Sequence, residues 1–315
     1  MRVLLIHNPG AGQHAKKDLD RLLAIIRECG HEVRYKSAKD DDWAKALDEP
    51  VDLVAVAGGD GTVARVVKKM VGRGLPVAPL PAGTANNIST TLGIVGRPLE
   101  ELVHGWTDAR RVKLDVGIAE GPWGKRYFVE GVGAGLFAQT VPLVDSDPRM
   151  KQLKTPADKV RFALERLEER LARLQPVSVK ASLDGKDVSG DYLMFEALNI
   201  AYVGPNLFLA PDSNQGDGQF DLVMVTEAER DRLRHYLKHW QEKKPRLAVL
   251  PSRQGKELHV AWTGFRVHID DDFWPEEDEK PESASGAIDV RIQGEAVEVL
   301  APADPKAQSS KHRQG

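Results

Sequence analysis

The chain has a single cysteine, Cys29, in 315 residues. No intramolecular disulfide can form, and a reducing, cytoplasmic setting is expected. No apolar run approaches the roughly 18 residues that a membrane-spanning helix needs. Met1-Arg2 leads straight into an apolar strand-like run, without the basic segment and longer apolar core of a secretion signal. An excess of charge of one sign is also missing. With 44 basic against 47 acidic side chains the net charge is −3, so there is no basic field for duplex nucleic acid and none is expected as a partner. No GxSxG element or cysteine–histidine signature supports nucleophilic hydrolysis, and no segment repeats at a fixed period.

What is present is an ordinary globular composition, 41% apolar and 29% charged, in a chain long enough for two cores. Up to residue 110, strand and helix signals alternate. Val3–His7, His31–Ser37, Val51–Ala57 and Pro76–Leu80 read as strands. Ala15–Cys29, Asp41–Leu47, Gly61–Val71 and Ala85–Leu92 read as helices or helix openings. This rhythm predicts an open parallel α/β domain over residues 1–110, with helices on both faces. From residue 111 to 300 short strand-like runs dominate, from Val112–Ala119 to Ile288–Leu300, and predict a β-rich, sandwich-like second domain. Two helices, Asp158–Gln175 and Glu227–Lys244, interrupt it. Asp270–Glu282, with eight acidic residues and one lysine, reads as a solvated loop. Residues 301–315 are polar and predict a disordered tail.

Three of the predicted strands end in polar, glycine-bearing turns: HNPGAGQ (His7–Gln13), GGDGT (Gly58–Thr62) and PLPAGTANNIS (Pro79–Ser89). Glycine lets a ligand approach the backbone closely, and a strand–turn–helix unit aims amides and a positive dipole end at whatever lies above the strand ends. Each turn alone reads equally well as a plain tight turn. Jointly they would line the carboxyl edge of one sheet, where open α/β folds bind ligands, and they predict phosphate or nucleotide binding. The pattern is not GxxxxGK[ST]. Asp60, a carboxylate among such amides, needs a Mg²⁺ ion or a transferable proton beside it, as phosphoryl transfer supplies. Its plainer alternative is a cap on the helix that follows it.

At these residues the chain resembles the diacylglycerol kinase catalytic-domain family of lipid kinases, which includes sphingosine and ceramide kinases. NAD kinases and phosphofructokinases are more distant relatives sharing GGDG. The resemblance continues through EGVGAGLFA (Glu130–Ala138), APDSNQGDGQFDLVMV (Ala210–Val225) and IQGEAVEVL (Ile292–Leu300). It implies an ATP- and Mg²⁺-dependent lipid kinase, with ATP phosphates held by Thr62, Thr84 and the amides of Gly58, Gly59, Asp60, Gly61, Val63, Ala64 and Gly83, and with Asn86 in the third motif. Asn8 and Ser37 would line the adenosine side, although a serine ending a strand also reads as a cap. Asp217, with the carbonyls of Asn214 and Gln219, would hold a structural Mg²⁺, an oxygen set suited to a hard cation. Glu295 would take the proton from the lipid hydroxyl; read without the family, it is an exposed strand carboxylate like Glu298.

The pattern also breaks. Gln293 stands where the family has aspartate before Gly-Glu, Asn87 where many relatives have aspartate, and Glu130 where asparagine is common. The leading expectation is phosphorylation of diacylglycerol to phosphatidic acid. The rivals are a kinase for a sphingoid or other lipid, an NAD kinase, or a nucleotide-binding regulator that has lost turnover. His235 and His239 stand four apart, as metal ligands can, yet amid Arg230, Arg232, Arg234 and Lys238 they read as a cationic face. With Tyr236 and Trp240 that face is a candidate for peripheral contact with the inner membrane surface. A homodimer is the remaining candidate partnership.

Overall fold

The computed structural model describes residues 1–11, 15–242, 250–276 and 285–303. The chain forms two units, Met1–Leu114 with a return segment beginning at Glu295, and Asp115–Gly294.

In the first unit the order is β1 (Arg2–His7), α1 (Ala15–Glu28), β2 (Glu32–Ser37), β3 (Leu53–Gly58), α2 (Asp60–Met70), β4 (Val77–Pro81), α3 (Asn87–Thr91) and α4 (Leu99–His104). The segment predicted as a helix at Asp41–Leu47 is a 3₁₀ turn over Trp43–Asp48. All four strands are parallel and stand in the order β4-β3-β1-β2. Every residue of β3 is buried, which explains its unbroken apolar run. Leu53, Ala55 and Ala57 share a core with Val3, Leu5, Leu22, Ile26 and Trp106. The connection after β1 leads to β2 on one side, whereas β3 lies on the other. Chain direction therefore diverges above β1 and β3, the place where doubly wound sheets leave a crevice.

The second unit continues with β5 (Arg110–Gly121), β6 (Gly124–Phe128), β7 (Gly131–Gly135), α5 (Leu136–Ser146), α6 (Pro148–Gln152), α7 (Pro156–Leu171), β8 (Val177–Leu183), β9 (Lys186–Asp187) and β10 (Gly190–Leu198). Then come β11 (Tyr202–Val203), β12 (Leu207–Phe208), β13 (Phe220–Thr226), α8 (Arg230–Gln241), β14 (Ser252–Gly255), β15 (Glu257–Thr263), β16 (Val267–Ile269), β17 (Asp272–Trp274) and β18 (Ser285–Ala301). The chain enters this unit within β5 and leaves it within β18. Its strand pairs are antiparallel, and β10 changes partners along its length: Gly190–Tyr192 pair with β8 and Met194–Leu198 with β7. Inward residues Phe128, Val132, Phe195, Phe220, Leu258, Trp262, Val267 and Ile288 fill the sandwich-like core. The fold is thus mixed α/β, a parallel N-terminal sheet followed by a β-sandwich-like domain.

Among the described residues four helices occur here where the sequence predicts two. α5 begins directly at the end of β7 and buries Leu136, Phe137, Ala138, Thr140, Pro142 and Val144; a helix buried over most of its surface, with an internal proline, has no amphipathic period to read. The expected solvated loop begins differently too. Asp270 is turned inward to accept hydrogen bonds from the amides of Val129, Glu130 and Gly131, and Asp272–Trp274 form β17. Residues 277–282 of that loop lie outside the described residues. Of the predicted tail, Ala301 is the buried end of β18, and residues 304–315 lie outside the described set.

Candidate functional site

The turns after β1, β3 and β4 meet. Asn8 Nδ2 donates to Thr62 Oγ1 at 3.1 Å, and Asn8 Oδ1 accepts from Gly10 N at 2.9 Å, so the first turn is fastened to the second. Between the second and third, a Cβ on Gly59 would lie 3.0 Å from Gly83 Cα, and a Cβ on Gly83 would overlap Gly59 Cα. Here glycine is required by backbone-to-backbone approach. The Ala82 amide donates to Gly58 O at 2.9 Å. Within the third turn Asn86, in the left-handed region at φ 55°, accepts from Gly83 N at 2.8 Å and donates to Gly83 O at 3.1 Å. Thr84 is exposed beside it.

Asp60 opens α2 but caps another helix: Ile88 N donates to Asp60 Oδ1 at 3.0 Å. Burial pushes its carboxyl above the ordinary range, while amides of Ile88, Asn87 and Asn86 pull it down. The expected cap on the helix that follows Asp60 is absent, since α2 is capped at Gly59 without a side-chain bond, and the carboxylate caps α3 instead; its burial carries an electrostatic cost. At the start of α2 the amides of Thr62 and Val63 both donate to Gly59 O at 3.0 Å, and Val63 and Ala64 are buried. The amides of Thr62 and Val63 are therefore engaged within the turn, and what the start of α2 offers is its dipole end. Ser37, at the end of β2, accepts from Lys39 N at 3.1 Å and so also serves as a turn cap.

In the second unit, Asn214, Asp217 and Gln219 lie in one loop before β13. Asp217 Oδ1 accepts from Gln219 N at 3.0 Å, and Gly218, at φ +72°, makes the turn glycine-specific. Asp115, fully buried on β5, accepts from Gly218 N at 2.7 Å and donates its amide to Gln215 O at 2.6 Å. Burial, then the charges of Asp217 and Asp212, push the Asp221 carboxyl up to about 6. An oxygen-rich loop with this negative field fits a hard cation. Among the described residues no three His, Cys, Asp or Glu side chains converge as ligands, so a Mg²⁺ here would depend on Asp217 and backbone carbonyls.

Asp115 and Asn199 are absent from the sequence-derived site. Asn199 Nδ2 bridges the carbonyls of Asp115 and Val129 at 2.9 Å. The available signal was a charge within the apolar run LDVGIA; such a residue is rarely buried without a partner. A Cβ added at Gly294 would lie 3.8 Å from both Asp115 Oδ1 and Gly218 Cα, an ordinary contact distance. Glu295 is placed on β18, but its side chain lies outside the described residues, while Gln293 is exposed. Asn87 is buried at the start of α3. On α8, Leu233, Tyr236 and Leu237 are buried, whereas Arg232, His235 and Lys238 are exposed. No helix among the described residues is long and apolar enough to cross a membrane.

Comparisons with known proteins agree with this arrangement. Residues 2–119 match the diacylglycerol kinase catalytic domain, and residues 138–254 match the YegS C-terminal NAD kinase beta sandwich-like domain. A diacylglycerol kinase of Mycobacterium tuberculosis is 26% identical over 80% of this chain and 78% of its own length; one from Bacillus subtilis is 28% identical over 72% and 74%. In fold, a diacylglycerol kinase structure from Bacillus anthracis superposes with TM-score 0.71 at 20% identity, covering 97% of this chain and 98% of its own. Yeast NADH kinase superposes at 0.51 and 9%, over 100% of this chain and 87% of its own, a likeness of fold. With glycine turns, sandwich and both domain matches in one order along the sequence, residues 2–119 belong to the diacylglycerol kinase catalytic domain family and residues 138–254 to the YegS-type C-terminal domain.

Proposed function

We propose that the chain is an ATP-dependent lipid kinase that transfers the γ-phosphate of Mg-ATP to a lipid hydroxyl, with diacylglycerol as acceptor and phosphatidic acid as product. The observation that carries the reading is the junction of three glycine turns through Asn8–Thr62, Gly59–Gly83 and Asp60–Ile88 at the carboxyl edge of a parallel sheet. In this reading the dipole of α2, the Thr62 and Thr84 hydroxyls and the backbone at Gly58, Gly59, Gly61 and Gly83 hold the triphosphate. Asn8 and Ser37 border the adenosine, and Asn86 keeps the third turn in shape. Mg²⁺ bound with the nucleotide neutralises phosphate charge. Asp60 orients that charged assembly, and its cap on Ile88 holds the carboxylate still. Glu295 accepts the proton of the lipid hydroxyl as its oxygen bonds to phosphorus and ADP leaves. Asp217, with the carbonyls of Asn214 and Gln219, would hold a structural Mg²⁺, whose charge would offset the carboxylates of the loop before β13.

The exposed Arg232, His235 and Lys238 of α8 form the face we assign to an anionic membrane surface on the cytoplasmic side. Unchanged binding of Arg232→Glu/Lys238→Glu to phosphatidylglycerol vesicles overturns that assignment. The reaction is tested by offering labelled ATP with diacylglycerol, sphingosine, NAD and a total lipid extract. Labelled phosphatidic acid is expected. Transfer to NAD alone overturns the lipid reading. ATP binding with no transfer to any acceptor favours the regulator, to which Gln293, in place of the family aspartate, points.

A further inference from the structure

On the helix-covered face of the second unit, Glu196, Gly133 and His268 stand in register across β10, β7 and β16. A Cβ at Gly133 would collide with the Glu196 carboxylate; the glycine is the gap through which the glutamate reaches the histidine. Glu196 Oε2 and His268 Nε2 are 2.7 Å apart, with the glutamate wholly buried and 12% of the histidine side chain exposed. His268 Nδ1 lies 3.1 Å from Asp270 O. A carbonyl only accepts, so Nδ1 carries a hydrogen. A neutral imidazole then has a bare Nε2, and a bare nitrogen 2.7 Å from a carboxylate oxygen needs a proton between them. The pair thus holds one shared proton, as GluH with His or as Glu⁻ with HisH⁺. The next residue in this line, Asp270, clasps the amides of Val129, Glu130 and Gly131 with its carboxylate.

We propose that Glu196 and His268 form a one-proton latch that ties β16 to β10 across Gly133 and, through Asp270, fixes the bend from Val129 to Gly133 in a pH-dependent way. Loss of the shared proton leaves a lone pair facing a buried carboxylate, and the latch opens. Among the described residues, Gly133 faces the pair from β7 and the rings of Phe137 and Phe273 face it from α5 and β17. The titratable groups on the surrounding elements are Asp270 after β16, Asp272 on β17, Asp221 on β13 and Asp145 at the far end of α5. Of these, Asp270 lies close enough to act on His268, and with Glu196 it raises the imidazole above its ordinary 6.5 against the effect of burial, the largest influence. Burial also raises Glu196. Both directions have the same sign: the folded chain keeps a proton that the unfolded chain loses as pH rises past 6.5. Stability from the latch is present below that pH and falls above it, until the folded pair itself deprotonates.

The test compares wild type with Glu196→Gln, whose amide donates to a bare Nε2 and closes the same bridge without a titrating proton. The wild-type folding equilibrium constant is expected to fall about tenfold per pH unit beyond 6.5. Hydrogen exchange of the Val129–Gly133 amides is expected to accelerate over the same range. Glu196→Gln should show neither dependence beyond what the rest of the chain contributes. If Glu196→Gln does not fold, NMR of the wild-type His268 ring decides: a midpoint above 6.5 supports the latch. An ordinary midpoint, or identical pH profiles for the two proteins, overturns it. None of these readouts depends on kinase activity.

Discussion

Replacing Gly83 by alanine tests the junction of the turns directly. The added methyl overlaps Gly59 Cα and comes within 2.9 Å of Asn86 Oδ1, whereas a comfortable carbon–carbon contact needs about 3.5 Å. The obstacle is backbone, so no rotamer relieves it. The two turns must part by a substantial fraction of an ångström, straining the Ala82–Gly58 bond of 2.9 Å and the Ile88–Asp60 bond of 3.0 Å. Overpacking of this kind costs about 2–3 kcal/mol, and strained hydrogen bonds add to it. In a unit of this size that lowers the melting temperature by roughly 5–10 °C. Gly72→Ala is the control. Gly72 sits at φ +77° with nothing within 4 Å, so its alanine feels the left-handed backbone alone, about 1 kcal/mol. Denaturant melts of both variants at equal pH separate contact from conformation. ATP affinity should fall at least tenfold in Gly83→Ala and stay unchanged in Gly72→Ala. Equal costs for the two substitutions would refute the backbone contact between the second and third turns.

Asp60→Asn keeps an oxygen for Ile88 N and removes a charge that burial disfavours. A raised carboxyl contributes stability below its ordinary 3.8 and loses it as pH rises through the folded value. At neutral pH the variant should therefore melt no lower than wild type, while phosphoryl transfer falls by about 10²-fold or more; a clear drop in melting temperature contradicts this. In wild type the acid limb of turnover should begin above 3.8, and a limb at the ordinary value assigns the ionisation to another group. Glu295→Gln should lower kcat by roughly 10²- to 10⁴-fold with ATP affinity unchanged; full turnover places the base elsewhere. Saturating Mg²⁺, at about 100 times its dissociation constant, should stabilise wild type by about 2.7 kcal/mol, an increment that Asp217→Ala loses.

Much of this was legible in the sequence because the determinants are local. An unbroken apolar run such as Leu53–Gly58 reads as a fully buried strand, and a glycine turn at its end reads as a close approach. That Gly59 approaches Gly83, and that Asp60 caps α3 rather than its own helix, was not legible, since both contacts join segments more than twenty residues apart. α5 was missed because it buries most of its faces. Asp270 reads as solvated because its neighbours are acidic, yet what fixes it is a trio of amides some 140 residues away. Asp115 and Glu196 escaped for the same reason: a buried carboxylate is explained by its partner, and the partner is not adjacent in the chain.

The most direct measurement of the central claim is the amide NMR spectrum of the full chain titrated with Mg²⁺ and a non-hydrolysable ATP analogue. The account predicts that the signals of Asn8, Gly59, Gly61, Thr62, Gly83 and Thr84 move together along one saturation curve. Saturable binding that leaves all three turns unmoved, or that shifts only one of them, would contradict it.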